Sequence, residues 1–198
     1  MSRPHILRDA TPDAAAAVAA IWNQIIRDTV ITFWPTERTT REIAAIIAER
    51  QDAGHAFLVA EVAGAVKAFA STTQFRAGGG YARSLEHTIH AAPDARGHGL
   101  GAALLAAVET HARTQGARLM VGAITGSNAG SLAFHARNGY TETGRIPAAG
   151  WKFGQFHDLV LMVKDLSAAW GSAGRPCLKR RRSPVLRRAG ASGGDIFP

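Results

Sequence analysis

Cysteine is almost absent from this sequence, since Cys177 is the only one among its 198 residues. A single thiol cannot form an internal disulfide framework, and it excludes a cysteine-based zinc site. No stretch approaches the roughly 18 consecutive apolar residues that predict a membrane-spanning helix. The alanine-rich stretch at residues 14–20 has no basic segment before it, so it lacks the pattern of a signal peptide. We therefore expect a cytoplasmic protein with no membrane partner and no metal.

Acidic residues are scarce in the last part of the chain. The sequence has 23 basic and 15 acidic residues, a formal net charge of +8. From Gly171 onward, seven lysines and arginines accompany only Asp195, so these 28 residues carry +6 and residues 1–170 carry +2. The basic patch at 179–182 has no aromatic residues between its charges, which gives only salt-sensitive, sequence-blind attraction to nucleic acid. A nucleic-acid-binding protein is the alternative of a different class, but we expect a solvated tail.

The organisation of the chain follows from its hydrophobic pattern. Hydrophobic residues make up 46% of the sequence, enough for the core of one compact domain. Thr11 before Pro12 is typical of a helix N-terminus, with the threonine as its cap. Helices are predicted at residues 12–28, 40–52, about 102–116 and 128–137, and strands at 6–9, 56–62, 66–75, 82–91, 118–124, 140–147 and 159–164. This alternation predicts an α/β domain with a mixed sheet at residues 1–166, followed by a disordered basic tail at 167–198.

A glycine-rich segment at residues 96–101 (RGHGLG) lies between a predicted strand and a predicted helix. Glycines at such a turn let backbone N–H groups point outward beside the positive end of the helix, which suits a pyrophosphate. A Walker loop would require Gly-Lys-Ser/Thr, whereas this segment continues with two alanines. A dinucleotide-binding fingerprint needs an acidic residue after the next strand, and no carboxylate follows that strand here.

A third phosphate-binding pattern, Arg/Gln-x-x-Gly-x-Gly/Ala, is satisfied by Arg96, Gly99 and Gly101. It resembles the acetyl-CoA pyrophosphate loop of the GNAT superfamily of N-acyltransferases, and the order of predicted elements is similar to that superfamily from about residue 3 to 166. Further segments resemble one bacterial branch, the phosphinothricin and methionine sulfoximine acetyltransferases. These segments are residues 85–90 (LEHTIH), 127–131 (SNAGS), 134–140 (FHARNGY), 150–154 (GWKFG) and 157–158 (HD).

The resemblance implies an α/β GNAT fold, with a mixed, mostly antiparallel central sheet flanked by helices. It also implies a homodimeric, acetyl-CoA-dependent N-acetyltransferase that acts directly on the α-amino group of a small L-amino acid. Phosphinothricin, methionine sulfoximine and methionine sulfone are the implied substrate types. A GNAT enzyme for protein N-termini, lysine or polyamines is the alternative within the superfamily. Polyamines would call for an acidic cleft, and the cleft residues identified below are mostly basic or neutral.

Two residues are candidates for proton transfer. An α-amino group has a pKa near ~8, so a carboxylate suffices as its general base. Glu86 stands on the strand that leads into the glycine loop and matches the family's proposed catalytic glutamate. Tyr140 follows the helix at 128–137, where many GNAT enzymes have a tyrosine that donates a proton to the leaving thiolate. This position is not always a tyrosine in the branch, so the resemblance leaves the acid open.

The resemblance also assigns contacts with the two substrates. For acetyl-CoA, strand backbone would bind the pantetheine arm, the glycine loop would wrap the pyrophosphate, and the next helix would lie beside the arm. Asn128 can equally be a helix N-cap, and His135 can equally be a core histidine. The predicted cofactor-binding residues are Ile89, His90, Ala91, Arg96, Gly97, His98, Gly99, Leu100, Gly101, Ala102, Asn128 and His135. The predicted substrate-binding residues are Phe33, Arg76, Glu86, His87 and Thr88, with Arg76 as a clamp for side-chain oxygens and Phe33 alternatively in simple packing.

Overall fold

The computed structural model describes residues 5–167. Apart from Ser167, the predicted tail at 167–198 lies outside the described residues, so the division into a domain and a tail stays a prediction. Among the described residues, no helix is long and apolar enough to cross a membrane.

Within residues 5–167, seven strands form one mixed sheet with four α-helices packed on it. The helices are α1 (Ala15–Asp28), α2 (Thr40–Asp52), α3 (Leu100–Thr114) and α4 (Ala129–Arg137). The strands are β1 (Ile6–Asp9), β2 (Phe57–Val62), β3 (Ala65–Gln74), β4 (Ser84–Ala91), β5 (Leu119–Thr125), β6 (Thr141–Lys152) and β7 (Gln155–Asp165), in the order β1-β2-β3-β4-β5-β7-β6. The described neighbours pair antiparallel except for β4 and β5, which are parallel. The predicted mixed, mostly antiparallel sheet is confirmed.

The sheet separates two hydrophobic cores. On one face, α1 and α2 bury Trp22, Ile43 and Ile47 against Phe57 and Phe69. The apolar stripe predicted for the first helix is buried as expected, since Val18, Ile21, Trp22 and Ile25 all face this core. On the other face, the apolar side of α3 packs with the small side chains of β3 and with β5 and β7.

The cap predicted at Thr11 is not formed, whereas a threonine does cap α2. Thr11 makes no capping hydrogen bond, because a short 3-10 turn at Pro12–Ala14 precedes α1 and the threonine hydroxyl bonds Asp13 instead. A capping box begins α2, where the Thr39 hydroxyl accepts from the Glu42 N–H at 3.2 Å and the Glu42 carboxylate accepts from the Thr39 N–H at 2.6 Å.

The last two strands are longer than their sequence pattern predicts. β6 and β7 form a hairpin that turns at Phe153 and Gly154, both with positive φ. Two irregularities, at Glu142/Gly144 and at Ile146/Gly150, shift the register and so interrupt the alternation of buried and exposed residues. β6 is also the edge of the sheet and is mostly exposed, so it lacks the apolar face by which the prediction located strands.

The central feature for function is the point where β4 and β5 separate. Their parallel pairing covers only Ser84 to Glu86 on β4, opposite Leu119 to Val121 on β5. β4 continues to Ala91 with β3 as its pairing partner, while β5 continues beside β7. The sheet therefore opens into a cleft that starts at Glu86, and the backbone of β4 beyond this residue has a free edge on the cleft side.

Candidate active site

A cavity of about 430 Å³ fills the cleft between β4 and β5. Its walls come from the two strands, from the start of α4 and from the loop that joins α1 to α2. Five predicted residues of β4 line it, namely Glu86, His87, Thr88, Ile89 and His90, and so do the predicted Phe33, Asn128 and His135. The structure thus brings together residues that are up to about a hundred positions apart in the sequence.

Glu86 is a half-buried carboxylate on the cavity wall. Burial raises its pKa above the usual range for glutamate, and the positive charge of Arg50 opposes that shift. The two residues that follow along the cleft on the same face of the sheet are Thr88 and His90. A carboxylate with a raised pKa is a better proton acceptor than an ordinary one, which is suited to deprotonating an ammonium group.

The loop between α1 and α2 forms the opposite wall, and three contacts hold it in place. The Lys152 ammonium donates to the Thr32 carbonyl at 2.8 Å, and the Thr125 hydroxyl donates to the Val30 carbonyl at 2.6 Å. The Phe33 ring lies directly over Gly150, where a Cβ atom would come within 2.3 Å of it.

The ring of His157 stacks on the ring of Phe33, which belongs to this wall. Its centroid lies 5.9 Å from that of Phe33, with an angle of 17° between the planes. The segments around 150–154 and 157–158 therefore act on the cavity through Phe33 and the loop that carries it. Neither Lys152 nor His157 lies among the residues that line the cavity.

Two buried histidines form the floor of the cavity. The rings of His87 and His135 stack with centroids 5.1 Å apart. Gly122 of β5 allows this approach, since a Cβ atom there would lie 3.2 Å from His87 Nε2 and 3.4 Å from His135. Burial lowers the pKa of His87 to about 3, helped by the nearby His135, and burial also lowers the pKa of His135. Both imidazoles are therefore neutral at pH 7.

Tyr140 lies behind these histidines and not in the cavity. Its ring contacts His87 and His135 edge-on, at 5.6 and 5.3 Å, and only 3% of the residue is exposed. Burial, and then the nearby Glu109 carboxylate, raise the pKa of its phenol. Because the tyrosine is absent from the cavity wall, this placement does not support its predicted role as the acid that protonates the thiolate.

The glycine loop carries the backbone geometry that its sequence predicts. Gly97 and Gly99 have φ of +78° and +83°, a region that favours glycine, and a Cβ atom at Gly97 would meet nothing within 4 Å. Gly99 is the N-cap of α3, and no side chain caps this helix. The first N–H groups of α3 are thus offered to a ligand, as an anion site requires. Gly101 differs, because its Cβ position would make only ordinary contact with Phe134 at 3.5 Å.

The other residues of the loop region occupy different environments. Arg96 is exposed and its Nε donates to the Ala91 carbonyl at 3.4 Å. His98 is half-buried and lines a small recess together with Lys67 and Asp94. Leu100 is buried in the core below the loop, and Ala102 is exposed on the first turn of α3.

Asn128 performs the structural role that its sequence context allowed. Its Oδ1 accepts a hydrogen bond from the Ser131 N–H at 3.1 Å, which caps α4. Asn128 and Ser131 also line the cavity. The Nδ1 of His135 lies 2.7 Å from the Ser131 carbonyl one turn earlier, which orients the imidazole. Asn128 can therefore cap α4 and contact a bound ligand at the same time.

Arg76 is not brought to the cavity. β3 ends at Gln74, and Arg76 lies in the exposed turn that follows, where its carbonyl accepts from the Gln74 side chain. Arg76 does not line the cavity, so its predicted role as an oxygen clamp finds no support in this arrangement. The end of β3, which Arg76 follows, lies beside the start of β4, because the two strands are antiparallel. The cleft opens toward the other end of β4.

The sequence interpretation missed several residues of the site. Gly122 is one, and its signal was an isolated glycine within an otherwise apolar strand, which often marks a close approach of other atoms. Thr125 is another, and it acts on the loop at residues 30–33. Gly150 and Lys152 lie in the segment at 150–154 that carries part of the resemblance, but the sequence interpretation assigned them no role, because their contacts with this loop join segments more than a hundred residues apart.

Together, the parallel pair that separates, the glycine loop before α3 and the carboxylate at the start of the cleft are typical of one class of protein, an acyltransferase of the GNAT fold. The sequence profile of the Acetyltransferase (GNAT) family matches residues 20–140. This chain belongs to the GNAT family of N-acetyltransferases.

Similar proteins indicate a branch of this family. The chain is 35% identical to the L-methionine sulfoximine/L-methionine sulfone acetyltransferase of Pseudomonas aeruginosa over 81% of its length and 94% of that protein. It is 33% identical to the phosphinothricin N-acetyltransferase of Alcaligenes faecalis, over 82% of each. Among solved structures, yncA from Salmonella typhimurium, a putative acetyltransferase crystallised with its cofactor acetyl-CoA, superposes with a TM-score of 0.80 at 31% identity, over 88% of this chain and 99% of the other. The predicted fold, family and enzyme class are confirmed.

Proposed function

We propose that this protein transfers the acetyl group of acetyl-CoA to the α-amino group of a small L-amino acid, with Glu86 as the general base. The observation that carries the proposal is the position of Glu86, a half-buried carboxylate where β4 and β5 separate, on the wall of a 430 Å³ cavity. An amine donor and a thioester that enter this cleft from its two ends would meet beside that carboxylate.

Acetyl-CoA fits the backbone groups that the cleft presents. It would supply the acetyl group as an activated thioester. The free edge of β4 at Ile89 to Ala91 would bind the pantetheine arm in the manner of an added strand, and Gly97 to Ala102 would bind the pyrophosphate at the start of α3. Arg96 is exposed beside this loop, so its guanidinium can approach the phosphate charge.

The chemistry asks little more of the protein than a base and correct positioning. Glu86 accepts a proton from the ammonium, directly or through a water molecule, and the neutral amine then attacks the thioester carbonyl carbon. As the C–N bond forms, the C–S bond breaks, coenzyme A leaves as its thiolate, and the second proton that the nitrogen loses passes to this thiolate or to solvent. Thr88 and the loop at Phe33 would hold the amino acid against the cleft. His87 and His135 are neutral, so they add no positive charge that would repel the incoming ammonium.

The substrate types follow from the relatives. Two proteins that are similar over four fifths of the chain are named for methionine sulfoximine, methionine sulfone or phosphinothricin, all small amino acids with a tetrahedral, oxygen-bearing side-chain end. The cavity is large enough for an amino acid and the reacting end of a thioester, and its described lining contains no carboxylate except Glu86. A polyamine would meet too little negative charge there.

The test of the base is Glu86→Gln, which keeps the shape of the side chain and removes its proton affinity. We expect kcat to fall by roughly 10²–10⁴-fold, with acetyl-CoA affinity almost unchanged. Glu142→Gln, on the exposed part of β6, is the matched control and should keep full activity. A near-normal kcat of the Glu86 variant between pH 6 and 9 would remove this residue from the mechanism.

The test of the substrate class is a panel of amines assayed by thiol release from acetyl-CoA. Methionine sulfone, methionine sulfoximine and phosphinothricin should give the highest kcat/KM. Methionine, a peptide with a free N-terminus, lysine and a polyamine complete the panel. Preference for the peptide or the polyamine would refute the proposed substrate class and leave the acetyltransferase activity intact.

We also propose that the enzyme is a cytoplasmic homodimer. The hairpin of β6 and β7 exposes Trp151, Phe153 and Phe156, each more than half accessible, at the edge of the sheet. Monomeric proteins rarely leave such a cluster of large apolar side chains in water, so a second copy is the expected cover. The molar mass by light scattering should equal two chains, and Phe156→Lys should shift it toward one.

A further inference from the structure

Arg50, near the end of α2, is a half-buried cation whose role the proposed chemistry leaves open. Its Nη1 donates to the Ser71 hydroxyl at 2.8 Å and to the Thr72 carbonyl at 3.3 Å. Within residues 5–167, no ion pair joins its guanidinium to a carboxylate. Partial burial of a charge without an ion-pair partner costs folding free energy, so we expect a functional reason for the arginine at this position.

The register of the sheet places this cation next to Glu86. Ser71 pairs with Thr88 and Thr73 pairs with Glu86, and directly paired residues point to the same face of a sheet. Ser71 and Glu86 are therefore diagonal neighbours on the face covered by α1 and α2, about 7–8 Å apart or less, a distance that a long side chain spans. The hydrogen bonds to Ser71 and Thr72 fix the guanidinium at this place.

We propose that Arg50 is a positioning residue for the general base, a cation anchored on β3 that keeps the Glu86 carboxylate ionised inside the partly buried cleft. This inference rests on the proposed function of Glu86. Two opposite charges on neighbouring side chains attract each other appreciably when both are partly withdrawn from water. Without Arg50, burial alone would favour the protonated, inactive form of the base.

The direction of the pKa shifts agrees with this arrangement. Burial raises the pKa of Glu86, and the charge of Arg50 is the influence that lowers it. Burial lowers the pKa of Arg50, and the charge of Glu49 and, to a smaller extent, that of Glu86 raise it.

Few other ionisable groups face this pair. Glu49 on α2 and Arg38 just before it act on Arg50. Burial together with the charge of Arg50 lowers the pKa of His55, just after α2. His90 shares the face on β4, where burial lowers its pKa to about 4, so it is neutral. Arg27 and Asp28, at the end of α1, pair with each other, and β5 has no ionisable residue. Arg50 is thus the charge best placed to act on Glu86.

The test compares the pH dependence of kcat/KM for Arg50→Gln with that of the unchanged enzyme, using acetyl-CoA and methionine sulfone. We expect the acid limb of Arg50→Gln to move upward by about half to one pH unit, a loss of roughly three- to tenfold below its midpoint. Activity should recover at high pH. Arg50→Lys keeps the charge and should lie close to the unchanged enzyme. Arg41→Gln, on the exposed side of the same helix, is the control and should leave the profile unchanged.

Two further variants separate the possible outcomes. In a Glu86→Gln background, Arg50→Gln should cause no additional loss, because the group on which it acts is gone. Ser71→Ala removes the anchor and keeps the cation, so it should produce a smaller shift of the same limb even if Arg50→Gln does not fold. An equal loss at every pH, with an unmoved limb, would overturn the inference and indicate a purely structural arginine. An acid limb whose midpoint is the same in Glu86→Gln as in the unchanged enzyme would instead refute Glu86 as the base.

Discussion

The contact between Phe33 and Gly150 offers a sharp test of how the β6–β7 hairpin shapes the cavity. An alanine Cβ at residue 150 would lie 2.3 to 2.5 Å from three atoms of the Phe33 ring, including Cγ at its root. Ordinary contact begins near 3.4 Å, so the ring must retreat by about 1 Å. Rotation of the ring alone cannot achieve this, because Cγ itself is too close. The side chain and the loop that carries it must therefore shift.

The expected magnitude follows from this overlap. Overpacking by one methyl group costs about 1–3 kcal/mol, which lowers the Tm of a domain of this size by about 2–12 °C. A displacement of the cavity wall by about 1 Å can cost up to 10²-fold in rate, so kcat/KM for the amino acid should fall by roughly ten- to a hundredfold. The KM for acetyl-CoA should change little, since the glycine loop lies on another part of the chain.

Gly144→Ala is the matched control for Gly150→Ala. It adds the same methyl group to the same strand, at a position where a Cβ atom meets nothing within 4 Å. Thermal unfolding and steady-state kinetics with methionine sulfone should show an effect for residue 150 and none beyond about 0.5 kcal/mol for residue 144. Equal behaviour of the two variants in both assays would refute the idea that Phe33 and Gly150 jointly define the cavity wall.

Three further predictions concern the glycine loop, the tyrosine behind the cavity floor and the stability of the domain at acid pH. Gly99→Val should raise the KM for acetyl-CoA strongly, because valine disfavours the positive φ at this N-cap. Gly101→Ala is the control and should be tolerated. Undiminished acetyl-CoA affinity of Gly99→Val would contradict this prediction. Tyr140→Phe should change kcat by less than about threefold, since the phenol lies outside the cavity, whereas loss of a true general acid would cost 10²–10⁴-fold in the same assay. The folded-state pKa values of His87 and His90 are lowered to about 3 and 4. As the pH falls below about 6.5, these histidines therefore bind protons in the unfolded chain but not in the folded one, which lowers the free energy of unfolding. Urea unfolding should then show a loss of about 1.4 kcal/mol per pH unit for each histidine down to its folded-state pKa, and His87→Gln should reduce that slope.

Most of the fold could be predicted from the sequence because most of its elements carry a clear local period. The stripe at Val18, Ile21, Trp22 and Ile25 predicted α1, and the alternation along 85–90 predicted β4. The strands that were predicted too short, β6 and β7, lack such a period. Their register shifts twice, and the edge strand β6 has no buried face to mark its extent.

The candidate site divides in the same way. The glycine loop was assigned from its own pattern, and Glu86 and Asn128 were assigned from the resemblance; both of these side chains line the cavity. Arg76 and Tyr140 were assigned by position in a motif, and the structure places both outside the cavity wall. Arg50 had no motif at all, because its hydrogen bonds to Ser71 and Thr72 join α2 to β3 and are formed only in the folded structure.

The sequence by itself determined the α/β class, the anion-binding turn before α3 and the carboxylate at its approach, since glycine conformation, helix capping and strand alternation are local properties. Only the tertiary structure decided how far β4 and β5 pair before they separate, and that separation creates the cavity. It alone decided which side chains surround Glu86, Phe33 and His87, because those contacts depend on side chains packed across the sheet and on hydrogen bonds between residues about a hundred positions apart.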